Sequence, residues 1–275
     1  MEALTQEKLL QMFLSADNTA HGYDPAAYAR MRVDAYNAAV GSLTDYDCPL
    51  CKNKGYIQYV GKGGEEITRE CRCMPIRETK RVIRESGLQS LLDRCTFDAY
   101  RTDEPWQKSA KAAAQRFVTD HRDKWFFAGG QVGCGKTHLC TAIVREFLLN
   151  GVRAKYMLWR DEITKLKAIV MEDGYSGAIT GIKQMPVLYI DDFFKSERGK
   201  PPTTADVNIA FEILNYRYNN PELITLISSE LTVDNILQID QAIGSRIYER
   251  CRDSCLCIGR DTKKNYRLRQ RSNGT

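Results

Sequence analysis

From Lys124 onward the chain alternates short apolar runs with longer stretches in which apolar residues recur three and four positions apart. The runs "KWFFAG", "VRAKYMLW", "PVLYIDDFF", "LITLISS" and "CLCIG" predict five strands. The stretches "KTHLCTAIVREFLLN", "RDEITKLKAIV", "TADVNIAFEILNYRYNN" and "QAIGSRIYERC" predict helices, the first stopped by Gly151 and the third placed for capping by Thr204. Strand and helix in alternation signal an α/β fold, a parallel sheet with crossover helices. Upstream the pattern changes. "LTQEKLLQMFL" and "PAAYARMRVDAYNAAV" are helical in period, with Pro25 suited to a first turn and Gly41 to a stop. "KNKGYIQYVGKGG" predicts a turn and hairpin, and "PIRETKRVIRES" a basic helix. "RCTFDAYRTDEP" reads as a connector, so the expected domains are residues 1–93 and 94–275.

The 275 residues suffice for one large or two modest domains. No apolar run approaches the ~18 residues of a membrane span. The start "MEALTQEKLL" lacks the basic-then-apolar layout of a signal peptide, so a soluble cytoplasmic protein with no membrane partner is expected. The net charge of +5 is concentrated at one end: Arg260, Lys263, Lys264, Arg267, Arg269 and Arg271 against Asp261. Such a tail suits either nucleic-acid phosphates or a solvated chain end.

The chemistry is densest at "GGQVGCGKTHLC". Gly130, Gly135, Lys136 and Thr137 fit the phosphate-loop spacing, and here the loop lies between an expected strand and an expected helix. Glycines let successive N–H groups turn around an anion, while the helix directs its positive end to the same place. The nucleotide-binding stretch is therefore Gly130, Gln131, Val132, Gly133, Cys134, Gly135, Lys136, Thr137 and His138. Lys136 is placed for the β- and γ-phosphates of ATP and Thr137 for Mg2+. "VLYIDD" then ends an apolar strand on two acids, Asp191 for the magnesium and Asp192 to orient or deprotonate a water.

Ten cysteines in a cytosolic chain favour metal binding over disulfides. Cys48 and Cys51 form a C-x-x-C and Cys71 and Cys73 a C-x-C, and two close thiolate pairs suit a structural zinc site (Zn2+). A thioredoxin-like redox site needs a helix directly after its C-x-x-C, which "KNKGYIQYVGKGG" does not supply.

Taken in order, the phosphate loop, "VLYIDD", "LITLISSEL" and "AIGSRIYER" resemble the AAA+ ATPase domain of the DnaC/DnaI family of bacterial and phage helicase loaders, over roughly residues 94–270. The resemblance implies an AAA+ P-loop ATPase domain with a five-stranded parallel sheet and no lid domain, preceded by a small helical zinc-binding domain that docks a partner. It implies an arginine finger at Arg246, with Arg250 as a second candidate, reaching a neighbouring subunit's ATP in an ATP-dependent oligomer. It also implies a polar sensor at Ser229. Where many relatives carry Asn, this chain has Glu230, and Asp192 replaces a Glu common among AAA+ proteins, so slow ATP hydrolysis is expected. The implied function is ATP-dependent loading of a hexameric, DnaB-type replicative DNA helicase onto single-stranded DNA in replication initiation. An IstB-type transposition helper ATPase and a non-hydrolysing, ATP-gated adaptor are the alternatives.

Overall fold

The computed structural model describes residues 25–85, 89–195 and 200–269. The expected helix "LTQEKLLQMFL" lies outside them. By contacts the chain divides into Met1–Cys71 and Arg72–Thr275.

In the first unit, helix α1 (Pro25–Ala38) buries Ala29 and Val33. Strands β1 (Tyr56–Val60) and β2 (Glu66–Glu70) pair antiparallel, Tyr56 opposite Glu70 and Val60 opposite Glu66. Asn37 joins helix to hairpin as an amide fork: its Nδ2 donates to Gln58 O at 2.8 Å and its Oδ1 accepts from Gln58 N at 3.1 Å. The expected hairpin is present.

The second unit opens with α2 (Cys73–Glu85), α3 (Gln89–Arg94) and α4 (Pro105–Thr119), followed by β3 (Trp125–Gly130) and α5 (Lys136–Leu149). Then come β4 (Ala154–Leu158), α6 (Trp159–Ala168), α7 (Gly174–Lys183), β5 (Val187–Asp191), α8 (Thr204–Tyr218) and β6 (Ile224–Ser228). Last are α9 (Val233–Ile239), α10 (Gln241–Cys251), β7 (Cys255–Ile258) and the short α11 (Tyr266–Arg269). The sheet is five-stranded in the order β4-β5-β6-β3-β7 and parallel at every pairing. Every residue of β3, β5 and β6 is buried, as expected for strands covered on both faces.

Side chains that alternate along a strand enter different cores. Trp125 and Phe127 of β3 join Leu188 and Ile190 of β5 in one cluster, with Ile213 and Ile247. Phe126 and Ala128 join Val187 and Tyr189 in the other, with Leu139 and Ile143.

Two local differences from the sequence reading have clear causes. The cap of α8 is Thr203, not Thr204: Thr203 Oγ1 accepts from Asp206 N, and the Asp206 carboxylate accepts from Thr203 N at 2.8 Å in return. The contact division also lies earlier than residue 93, because α2 packs in the second unit. There Thr79 Oγ1 accepts a hydrogen bond from Ala154 N at the start of β4, at 3.3 Å.

Candidate functional site

Strand β3 delivers the phosphate loop to the C-terminal edge of the sheet, where α/β folds bind ligands. Gly130 has φ 98°, and a Cβ there would lie 2.1 Å from Ile258 O, so no other residue fits against β7. At Gly133 (φ 72°) a Cβ would meet Asn265 Oδ1 at 2.1 Å. The Lys136 side chain is buried and curls over its own loop, donating to Gly130 O at 2.9 Å and Gln131 O at 2.7 Å.

Asp191, at the end of β5 and 4 % exposed, sits in a cage of donors. Its Oδ1 accepts from Thr137 Oγ1 (3.2 Å), Tyr189 OH (2.8 Å), Asp192 N (3.1 Å) and the Ser228 hydroxyl. Its Oδ2 accepts from Tyr156 OH at 2.8 Å. Burial first, and the Asp191 charge second, push both phenols up, so they stay protonated and act as donors. The loop threonine and the strand aspartate, 54 residues apart, thus touch directly. One hydroxyl and one carboxylate oxygen side by side form a hard oxygen donor set of the kind magnesium takes.

The turn after β5 has unusual backbone. Asp192 and Phe194 adopt left-handed φ values of 53° and 57°. Phe193 N donates to Ser228 O at 2.8 Å and Lys195 N to Asp192 O at 2.9 Å. Phe193 and Phe194 stack on each other and meet Trp159 edge-on. The fixed turn aims Lys195 back at its own start, with Nζ 2.9 Å from Asp192 Oδ2 and 2.9 Å from Glu230 Oε1.

A cavity of about 810 Å³ opens over the loop. Val132, Gly133, Gly135, Lys136, Thr137, His138, Asp191 and Asp192 all line it, so most of the expected nucleotide stretch and both acids share one space. Gly130, Gln131 and Cys134 do not. The Gln131 amide is engaged with Val132 O and Asp261 N, and Cys134 is fully buried. His138 is held by Thr96 O at 2.8 Å and by Tyr100, edge-on at 5.3 Å. The Tyr100 hydroxyl, also on the lining, is buried and among the described residues has no hydrogen-bond partner, a polar atom suited to a bound ligand.

Ser229 is not on the cavity lining. Its hydroxyl points into the fold, donating to Phe193 O at 2.7 Å and accepting from Leu231 N at 3.1 Å, and the residue is fully buried. A parallel strand turns alternate residues to opposite faces, and Ser228 is the one that meets Asp191. Arg246 and Arg250 lie outside the cavity lining. Arg246 donates to Ala242 O and stacks over Phe211 and Tyr218 at 5.1 and 5.3 Å. Arg250 donates to Tyr218 O and Asp123 O.

The sequence reading missed Tyr156, Tyr189, Ser228, Lys195 and Tyr100. Tyr189 was accessible, two residues before Asp191 on the same strand; the others converge only by register and turn geometry. It also left the basic C-terminal stretch open between two roles. Part of it packs on the phosphate loop: Gln131 N donates to Ile258 O at 2.9 Å and Tyr266 N to Gly133 O at 3.0 Å. Arg267 lines the cavity.

At the other constellation, the ligand atoms of Cys48, Cys51, Cys71 and Cys73 all lie within 4.8 Å of one another, and all four are buried. The Sγ atoms of Cys48 and Cys71 are 3.7 Å apart. A tetrahedral thiolate site with metal–sulfur bonds of ~2.3 Å has sulfur–sulfur edges of ~3.8 Å. Gly55 N donates to Cys51 Sγ at 3.4 Å and Arg77 Nε to Cys73 Sγ at 3.5 Å, which suits thiolate charge. The cluster can hold a metal ion. Among the described residues no helix is long and apolar enough to cross a membrane.

The chain matches the family described as IstB-like ATP binding protein over residues 60–274. It is 35% identical over 244 residues to the phage-like element PBSX protein XkdC of Bacillus subtilis (strain 168), covering 84% of this chain and 89% of that one. It is 25% identical over 190 residues to the replicative helicase loader DnaC of Escherichia coli (strain K12), covering 68% and 73%. A crystal structure of the DnaC helicase loader superposes with a TM-score of 0.51 at 23% identity, over 58% of this chain and 96% of that one, a likeness of fold. The chain belongs to the family of IstB-like ATP-binding proteins, and its second unit has the AAA+ P-loop fold seen in DnaC.

Proposed function

We propose that this protein is an ATP-dependent helicase loader, which binds a hexameric replicative DNA helicase and delivers it to single-stranded DNA. The observation that carries the reading is the direct contact of Thr137 with Asp191 beside Lys136, in a chain similar to a replicative helicase loader over 68% of its length.

In this reading Lys136 exchanges the carbonyls of Gly130 and Gln131 for the β- and γ-phosphate oxygens of ATP. Thr137 and Asp191 hold Mg2+, which supplies neutralising charge to the phosphates. Tyr156, Tyr189 and Ser228 fix the Asp191 carboxylate for that task, and Asp192 orients the attacking water. Arg246, with Arg250 as the second candidate, acts on a neighbouring subunit's nucleotide. Its position outside its own cavity supports this assignment. Zinc at Cys48, Cys51, Cys71 and Cys73 stabilises residues 1–93 as the helicase-docking part.

The test is co-elution of the full-length chain with its host's replicative helicase in Mg-ATP. Lys136→Ala should lose ATP affinity. Arg246→Ala should bind ATP normally and lose turnover by on the order of 10³. Recovery of a transposase instead would establish the transposition reading. Loss of ATP affinity in Arg246→Ala as severe as in Lys136→Ala would refute the finger.

A further inference from the structure

Strands β5 and β6 are neighbours, so the residues just past their ends share one rim of the cavity. Those residues include two acids, Asp192 and Glu230, with side chains 31% and 38% exposed. Buried Asp191 is a third acid on the lining. A polyanion approaching this rim meets like charge, and a site intended for phosphates needs that charge offset.

Lys136, Arg101 and Arg267 also line the cavity, but among the described residues the cation that pairs directly with both rim acids is Lys195. Lys195 Nζ lies 2.9 Å from Asp192 Oδ2 and 2.9 Å from Glu230 Oε1, and all three residues line the cavity. Its placement is built into the backbone. The left-handed Asp192 and Phe194, the bond from Lys195 N to Asp192 O and the two phenylalanines against Trp159 hold the turn that returns Lys195 to the rim. Burial pulls the Lys195 ammonium down, but hydrogen bonds to Glu230 and Asp192 outweigh it and raise its pKa, so it is charged at neutral pH.

We propose that Lys195 is a charge-balancing positioning residue: by bridging Asp192 and Glu230 it lets this acid-rich rim accept the terminal phosphate of a nucleoside triphosphate. Glu230 is then tolerated beside the phosphate site because its charge is matched within the same rim. The bridge also holds the Asp192 carboxylate in place. The inference rests on the nucleotide-binding reading above and adds a residue that the loop and strand motifs do not contain.

The test is a titration of the full-length chain, with magnesium, by fluorescent ATP and ADP analogues, on wild type, Lys195→Ala, Lys195→Arg, Glu230→Gln and the Lys195→Ala/Glu230→Gln pair. Removing the ammonium leaves two partly exposed carboxylates facing the extra charge of the triphosphate. Solvent screening limits the effect to about tenfold in ATP affinity, or ~1.4 kcal/mol. ADP affinity should change by less than about threefold, since its phosphates carry less charge to that rim. Lys195→Arg should bind like wild type, and Glu230→Gln in the Lys195→Ala background should recover most of the ATP affinity. A simple packing role would weaken ATP and ADP alike and would not be rescued. Equal losses for both nucleotides, or failure of Glu230→Gln to rescue, would overturn the proposal. A wild-type chain that binds neither nucleotide would instead overturn the nucleotide reading, and this inference with it.

Discussion

Replacing Tyr156 by Phe deletes the one hydroxyl that, among the described hydrogen bonds, donates to Asp191 Oδ2. The ring stays, so no cavity opens and the T-shaped contact with Tyr189 at 5.3 Å survives. What is lost is a 2.8 Å hydrogen bond to a carboxylate buried to 4 % exposure. Hydrogen bonds to charged groups contribute ~1.5–3 kcal/mol, and a buried oxygen left without a donor puts the loss near the upper end. For a unit of this size each kcal/mol shifts the midpoint by roughly 2–4 °C, so Tyr156→Phe should melt about 3–12 °C lower. Tryptophan fluorescence is the assay, because Trp125 and Trp159 are both buried in the core of the second unit and report its unfolding. The same substitution in an Asp191→Asn background should cost only ~0.5–1.5 kcal/mol, since the acceptor is then uncharged. A loss below about 0.5 kcal/mol in the native background, or equal losses in both, would show that Tyr156 does not hold Asp191.

Protein purified without chelators should carry about one zinc per chain, because four buried thiolates fill a tetrahedral site. Cys48→Ser should release it and abolish hydrogen-exchange protection of the β1–β2 hairpin while ATP binding persists; less than about a tenth of an equivalent in the wild type refutes the site. Exposed Cys257 lies 3.8 Å from Cys255, whose thiol hydrogen bond is the first cause lowering its pKa to about 6. Iodoacetamide should therefore label Cys257 with a rate rising through about pH 6, and Cys255→Ala should shift that midpoint upward. An unchanged midpoint in Cys255→Ala would rule out the thiol pair as the cause.

Much of the fold was legible because its signals are local. The five strands read correctly since parallel core strands are short, continuous apolar runs, and the helices behind them repeat at the helical period. Helix α7 escaped notice because "GYSGAITGIK" has three glycines and weak intrinsic helicity. It is stabilised from outside: Ile179 and Ile182 enter the core, and Lys183 and Tyr175 both bond Glu212 on α8. Arg217 likewise reads as a solvated helix residue in "NYRYNN". It is fully buried, donating to Lys183 O, Met185 O, Ile224 O and Thr225 Oγ1.

The candidate site divides along the same line. The sequence alone determined the phosphate loop, the paired acids at a strand end and the four clustered cysteines, because each is a fixed spacing of residue types whose chemistry requires proximity within a few positions. Only the tertiary structure decided which serine faces Asp191, since a single residue along β6 reverses the face, and Ser228 rather than Ser229 falls on the right one. It also decided that two tyrosines from adjacent strands cage one carboxylate, that Lys195 balances Asp192 and Glu230, and that the C-terminal stretch packs on the phosphate loop. Those contacts join positions up to 130 residues apart, such as Asp261 N and Gln131 Oε1. Strand order and turn geometry create that proximity, and neither is written in the spacing of any one segment.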